Sequence, residues 1–270
     1  QMVIPNGMAT TVLQYQSMSD PGSANVSMNG LVKGQGDRPV FDINNLPLPI
    51  IHSDFSFSAR DIAVSRRNNT PLDLTMVEAS TRRVAEEAEK LMLGSSEFNG
   101  FAFGGGTLYG LTTFPSRMTK TLTHPLASGW TAAICNGEVL AMKQQMIDAK
   151  HYGPWKLYVS PTWDQYLDAD YSAQYPGVTL RQRILQISGI QGIETLDYLS
   201  GAVMIMLQQA SDVARVVVGM DMTTLQWESQ GGMEINFKVM AIMVPQLRTD
   251  FYGNTGIVHA TATAPTTTTT

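Results

Sequence analysis

The residues able to do chemistry are few and scattered. Four histidines occur, His52, His124, His151 and His259, and none stands in an HxH, HExxH or CxxC context, so the sequence gives a metal centre no support. Ser160, Ser188 and Ser200 lack the G-x-S-x-G elbow that exposes a hydrolase nucleophile. The single cysteine, Cys135 in "AAICNGE", excludes an intrachain disulfide and a multi-cysteine zinc site, and it reads as a buried thiol. Gly104–Gly106 is followed by no Lys-Ser or Lys-Thr pair, so it reads as a backbone turn, not a phosphate loop. The neighbouring acids Asp168 and Asp170, like Glu86 and Glu87, stand one or two residues apart, which suits solvated faces rather than an acid/base pair. The expectation is no catalytic residue, no cofactor and no metal.

Arg60, Arg66 and Arg67 form the one compact basic spot. Guanidinium groups at this density could meet phosphates, or acidic patches on a neighbouring subunit; the second reading is favoured. The chain of 270 residues carries a net charge of −5, so no global basic field draws it onto nucleic acid or an anionic membrane. No apolar run approaches the ~18 residues of a membrane span, and the first residues show no basic-then-apolar leader. Charged residues make up only 15%, against the usual quarter, which hints at surface hidden against partners.

These residues need elements to place them. The first 43 residues are polar and rich in Gly and Ser; "TTVLQYQS" could pair as a short strand, and the segment reads either as a floppy tail or as an arm that orders against a neighbour. "IIHSDFSFSARDI" alternates, with Ile51, Ser53, Phe55 and Phe57 on one face and His52, Asp54, Ser56 and Ser58 on the other. Pro47 and Pro49 confine its entry to an edge or extended backbone, and "RRNNTP" closes it. Thr75–Leu93 is the clearest helix. Thr75 and Glu78 suit a capping box, Val77, Val84, Ala88 and Leu91 share a face, and Gly94 supplies the stop. Arg82, Arg83, Glu86 and Glu87 lie on its polar face.

A Gly-rich loop follows at 98–115. The pattern then predicts a helix over 137–150 with Leu140, Met146 and Ile147 inward, and a buried strand in "PWKLYVS". Short helices follow after Ser160 and after Thr179, and strands in "GIETLDYL", "AVMIMLQQ", "VARVVVGM" and "MEINFKVMAIMVPQL". Strands cluster late, so the class is α+β. "TATAPTTTTT" is a low-complexity tail.

The order of these segments resembles the Hong Kong-type capsid fold of tailed-phage major capsid proteins and bacterial encapsulins. "LPLPIIHSDFSFSARDI" is similar to the strand of its E-loop, and "PLDLTMVEASTRRVAEEAEKLMLG" to the spine helix that follows. "GGGTLYGLTTFP" resembles the next turn, and "GPWKLYVSPTWDQYL" the entry to the axial domain. "VARVVVGMDMTTLQWES" and "GGMEINFKVMAIMVPQ" resemble the exit strand and the long return strand. The likeness covers residues 40–258.

The resemblance implies an extended N-terminal arm at 1–44, an E-loop hairpin at 45–70, and a peripheral domain with a long spine helix at 71–150 and 227–262. An axial domain at 151–226 and a tail at 263–270 complete it. It further implies that the chain assembles with itself, as hexamers and pentamers, into an icosahedral head shell of a tailed phage. That shell would form in the host cytoplasm and become the virion capsid, with a portal, a scaffold, a decoration protein and non-specific contact with packaged double-stranded DNA. No membrane is involved. The alternative is an encapsulin-type compartment around an enzyme cargo. Residues 1–43 do not resemble the short amphipathic helix with which encapsulins begin, and the tail exceeds their usual end; both favour the phage reading. Some phage shells of this fold weld subunits through an E-loop lysine, and none lies between Lys33 and Lys90, so non-covalent cohesion is expected. On this view Ile51, Phe55 and Phe57 bury against a neighbouring subunit, and Arg60, Arg66 and Arg67 pair with its acids. Asp at both 55 and 57 should then leave the chain folded but unable to build shells.

Overall fold

The computed structural model describes residues 1–19, 26–29, 38–68, 75–94, 100–125, 129–172, 175–250 and 252–262. The strands in the first half are β1 (Met2–Val3), β2 (Val12–Met18), β3 (Phe41–Pro47), β4 (Ile51–Ser58), β5 (Phe101–Phe103), β6 (Gly106–Leu108) and β7 (Met118–Leu122). Those in the second half are β8 (Trp155–Val159), β9 (Asp170–Ser172), β10 (Tyr175–Thr179), β11 (Ile190–Thr195), β12 (Val203–Gln208), β13 (Ala214–Ser229), β14 (Glu234–Leu247) and β15 (Ile257–Ala262). The helices are α1 (Ala59–Asn68), α2 (Thr75–Leu93), α3 (Ala132–Asp148), α4 (Pro161–Leu167) and α5 (Leu180–Leu185).

Two sheets organise the chain. In the four-stranded sheet, ordered β1-β13-β14-β4, the long β13–β14 hairpin is antiparallel and β4 adds along β14, with Phe55 opposite Phe237 and Phe57 opposite Ile235. Helix α2 crosses this sheet. Its apolar stripe is the one the period requires: Val84, Ala88, Leu91 and Leu93 are buried, and Val84 packs with Phe55, Val239 and Ala241. β14 alternates as a strand buried on both faces must, since Ile242 and Val244 join Leu46, Leu48 and Val217 in a second cluster.

The five-stranded sheet, ordered β11-β8-β12-β15-β7, is mixed. In its central strand β12, Met204 and Met206 face α3, α4 and α5, where Cys135, Val139, Met142, Trp163, Leu167 and Ile184 close the core. Ile205 and Leu207 face the other way, onto Leu93, Leu199, Val213 and Leu247. One strand therefore serves two cores, which is why "VMIMLQ" is apolar without a break. Leu93, at the end of α2, ties the two sheets together.

Several boundaries differ from expectation. The five-stranded sheet, with α3 packed on it, takes β7 and β15, which the sequence assigned to the peripheral part, while β13 up to residue 226 belongs to the four-stranded sheet. The two parts are thus interleaved along the chain. Helix α3 begins at Ala132, five residues earlier than expected, because Thr131 Oγ1 accepts the Ile134 amide at 3.3 Å and caps it. With that start Val139 and Met142 turn inward, and Leu140 is 45% exposed. After Ser58 the chain forms α1, where the sequence predicted the return strand of a hairpin. The tail at 263–270 lies outside the described residues.

The strands β2 and β3 pair antiparallel from Val12 opposite Pro47 to Met18 opposite Phe41. This hairpin is clamped at its base. The β5–β6 turn lies against it, with Asn45 Nδ2 donating to the Gly104 carbonyl at 3.1 Å. A methyl group on Gly106 would stand 2.1 Å from the Asn45 carbonyl oxygen, so only glycine lets the turn reach this close. Gly106→Ala should lower stability by about 1–3 kcal/mol and free the hairpin base. The check is a lower melting temperature together with faster amide exchange across residues 12–18 and 41–47; unchanged exchange there would show that the clamp does not hold the hairpin.

His259 sits on β15 beside β7, where Arg117 Nε donates to its Nδ1 at 3.2 Å. Burial, and then the Arg117 charge, lower its pKa to about 4. The unfolded chain, with an ordinary histidine near 6.5, therefore binds the proton first as pH falls. Stability should be full above pH ~6.5 and decline toward pH ~4, by on the order of 1–2 kcal/mol after allowance for the partial exposure of the ring. Urea midpoints measured across this window should fall in the parent and stay flatter in His259→Gln.

Candidate assembly surface

The hairpin of β2 and β3 is the most prominent exposed apolar feature. Its base is buried through Leu46 and Leu48, each 6% exposed. The end away from the base is open: Met18 is 55%, Phe41 56% and Ile43 59% exposed, and Val40 beside them is likewise exposed. At seven residues each, the strands run roughly 23 Å, and Ser19 closes the described part by donating its amide to the Val40 carbonyl and accepting the Val40 amide on Oγ, both at 3.0 Å.

Arg248 stands over the Tyr15 ring of the hairpin at 5.5 Å, and Arg215 Nε donates to the buried Gln246 Oε1 across the β13–β14 pair at 2.5 Å. Burial raises the Tyr15 pKa, and Arg248 and Arg215 partly offset that rise. Burial and then the neighbouring Arg248 push Arg215 down. An open cleft of about 870 Å³ runs between the hairpin and the body, lined among others by Tyr15, Asn44, Tyr109, His151, Arg248 and Asp250.

The residues predicted for the E-loop lie elsewhere. Phe55 is buried, stacked on Phe237 with ring centroids 5.2 Å apart and planes 7° apart, and Phe57 meets both rings edge-on. Ile51 and Phe57 are half-buried in the same clusters. This face is covered by the chain's own α2, so its alternation reflects an internal core and not a contact with a neighbour. The two-stranded hairpin lies upstream, between Val12 and Pro47, and takes in most of the segment expected to be an arm. Lys33 falls between its strands in sequence, outside the described residues, so the argument from a missing E-loop lysine no longer applies.

Arg60, Arg66 and Arg67 all stand exposed on α1, a helix with no buried residue. On α2, Arg82 pairs with Glu86 at 3.2 Å and Lys90 with Glu87 at 2.7 Å, while Arg83 is exposed. Met18, Val40, Phe41 and Ile43 were missed as contact candidates; the signal was the strand pattern of "VLQYQSM" facing that of "FDINNLP". A second exposed ridge runs along the far end of β13, with Met222, Leu225 and Trp227, each between 37% and 47% exposed. Among the described residues β1 pairs with β13 at Val217 and Val218, and no strand pairs with this edge of β13 beyond them.

Chemistry is sparse in the fold as well. Burial, and then Glu138, push the Cys135 thiol up to about 12, which keeps it protonated and inert. Among the described residues no three His, Cys, Asp or Glu gather as metal ligands, and no helix is long and apolar enough to cross a membrane.

A spine helix over a four-stranded sheet, a second mixed sheet with three helices and a projecting hairpin together define the Hong Kong-type capsid fold. Comparison with solved structures agrees. The chain matches the capsid of Myoviridae phage XM1 with a TM-score of 0.71 over 97% of its length and 90% of that chain, at 9% identity. It matches a virus-like particle from Pyrococcus furiosus at 0.67 over 96% and 88%, with 15% identity. The Mycobacterium phage Bobi structure matches at 0.62 over 97% and 88%, with 12% identity. In sequence it is 24% identical over 176 residues to the type 1 encapsulin shell protein EncA of Myxococcus xanthus, a match that spans 65% of this chain and 56% of that protein. The chain belongs to the family of unknown function DUF6260, whose model matches residues 7–260.

Proposed function

We propose that this chain is the major capsid protein of a tailed phage, assembling with itself as hexamers and pentamers into an icosahedral head around double-stranded DNA. The observation that carries the reading is the hairpin: four large apolar side chains at the end of a projecting two-stranded arm, in a chain carrying a capsid fold. Exposed apolar surface of this kind marks protein contact, and a shell repeats each contact so often that modest contacts suffice. The structural likeness to several phage capsids supports the head reading. A portal, a scaffold and a decoration protein belong to the same reading, as do assembly in the host cytoplasm and a place in the virion. Contact with packaged DNA is non-specific and local, given the net charge of −5.

The second reading is an encapsulin-type shell around an enzyme, and the identity to EncA favours it. Particle contents separate the two. Particles isolated from the native source and treated with nuclease should retain double-stranded DNA of genome length if the head reading holds. A protein cargo recovered without DNA would overturn it in favour of the compartment.

A further inference from the structure

Helix α1 is an isolated cationic element. None of its residues is buried, and Arg60, Arg66 and Arg67 form no ion pair among the described residues. It follows β4 directly, and Ser58 Oγ accepts the Asp61 amide at 3.3 Å, which fixes it beside the end of β4 that pairs with Glu234. That is the Val77 end of α2, since Phe57 and Val77 share one cluster.

The other end of α2 carries the opposite charge. Glu86, Glu89 and Asp197 come together where Leu93 packs against Leu199. Glu89 and Asp197 form no ion pair among the described residues, and the nearby Lys90 is taken up by Glu87 at 2.7 Å and by the Tyr198 ring at 5.4 Å. Burial, then Asp197 and then Glu86, raise the Glu89 pKa; Glu86 is held by Arg82 at 3.2 Å, whereas Glu89 and Asp197 repel each other and pair with no cation among the described residues. From Thr75 to Glu89 the helix rises about 21 Å, and among the described residues Arg60, Arg66 and Arg67 pair with none of these acids within one copy.

We infer that α1 of one copy docks on the Glu86–Glu89–Asp197 patch of a second copy of the same chain. The inference rests on the self-assembly reading and supplies one of its contacts. Opposite charges at opposite ends of one element make the contact head-to-tail, and head-to-tail contacts close into rings when the rotation allows. Guanidinium groups suit carboxylates through paired hydrogen bonds. Glu89 and Asp197 thereby gain the cations they lack among the described residues of their own copy.

The test compares four proteins by shell yield: the parent, Arg66→Glu with Arg67→Glu, Glu89→Lys with Asp197→Lys, and all four changes together. Each charge-reversed pair should lower the yield by roughly tenfold or more, because like charges then face each other across the contact, and the four-fold variant should recover most of it. Melting temperatures should stay close to the parent's, since both arginines are exposed and form no ion pair among the described residues. Salt near 1 M, where the screening length falls to about 3 Å, should slow parental assembly in a reversible way and provides a test without mutation. Parent-like yields from both reversed pairs, or assembly indifferent to salt, would overturn the docking while leaving the shell reading intact. Full yield from Arg66→Glu/Arg67→Glu with less retained DNA would instead assign α1 to nucleic acid. A parent chain that builds no particles overturns the shell reading beneath it.

Discussion

Replacing Phe55 by aspartate should unfold the chain. The ring is 8% exposed, stacked on Phe237 and packed on Val84, Val239 and Ala241, where β4, β14 and α2 meet. Truncating a buried Phe to alanine costs about 3–5 kcal/mol, and a carboxylate left there adds the penalty of an unpaired buried charge. Since a domain is stable by only about 5–15 kcal/mol, most or all of its stability is lost. Denaturant titration, or recovery of the protein in aggregates, measures this. A cooperative unfolding curve close to the parent's would show that the β4 face is not part of the chain's own core, and would restore the reading in which it meets a neighbour.

Replacing Phe41 and Ile43 together by glutamate should have the opposite profile. Both side chains are more than half exposed and lie in the open part of the hairpin, away from the Leu46–Leu48 anchor. Surface changes of this kind usually stay within about 0.5 kcal/mol, so the melting temperature should hardly move. Assembly should be lost, because two charges replace the apolar patch offered to the neighbour and a buried unpaired charge is expensive at any interface. Sedimentation velocity distinguishes the outcomes: a single small species with parental circular dichroism is the expected result, and a normal yield of particles would remove the hairpin from the assembly contacts. The Phe55 and Phe41/Ile43 variants thus separate the strand that builds the subunit from the strand that joins subunits.

The spine helix was legible almost to the residue, because its 3.6-residue stripe and the Gly94 stop are local signals. The start of the short helix after Thr179 was legible for the same reason: the Thr179 Oγ1 accepts the Gln182 amide at 3.3 Å and the Gln182 side chain returns to the Thr179 amide. The strand at Ile51–Ser58 was equally clear as a strand. Its partner was not, because period two says that one face is covered and not what covers it. Only the packing of α2 on that face, with β4 held in the sheet by β14 some 180 residues away in sequence, shows that the cover is the chain's own. The start of α3 was missed because "TAAICNGE" carries Gly137 in mid-helix, and the cap at Thr131 precedes a run with little charge. The interleaving of the two sheets was hidden for a related reason: β15 pairs in parallel with β7 across more than 130 residues, and no local pattern encodes such a choice. The hairpin was the largest miss. Its exposed side chains look like those of any polar arm until the register Val12–Pro47 to Met18–Phe41 sets them side by side.

Whether this chain builds closed shells from itself is decided by negative-stain electron microscopy of the purified chain across a range of concentration and salt. Closed icosahedral particles, or rings and sheets of capsomers, are the expected result. A field of isolated globules of about 30 kDa, matching the 29.5 kDa chain and unchanged by concentration or salt, would contradict it.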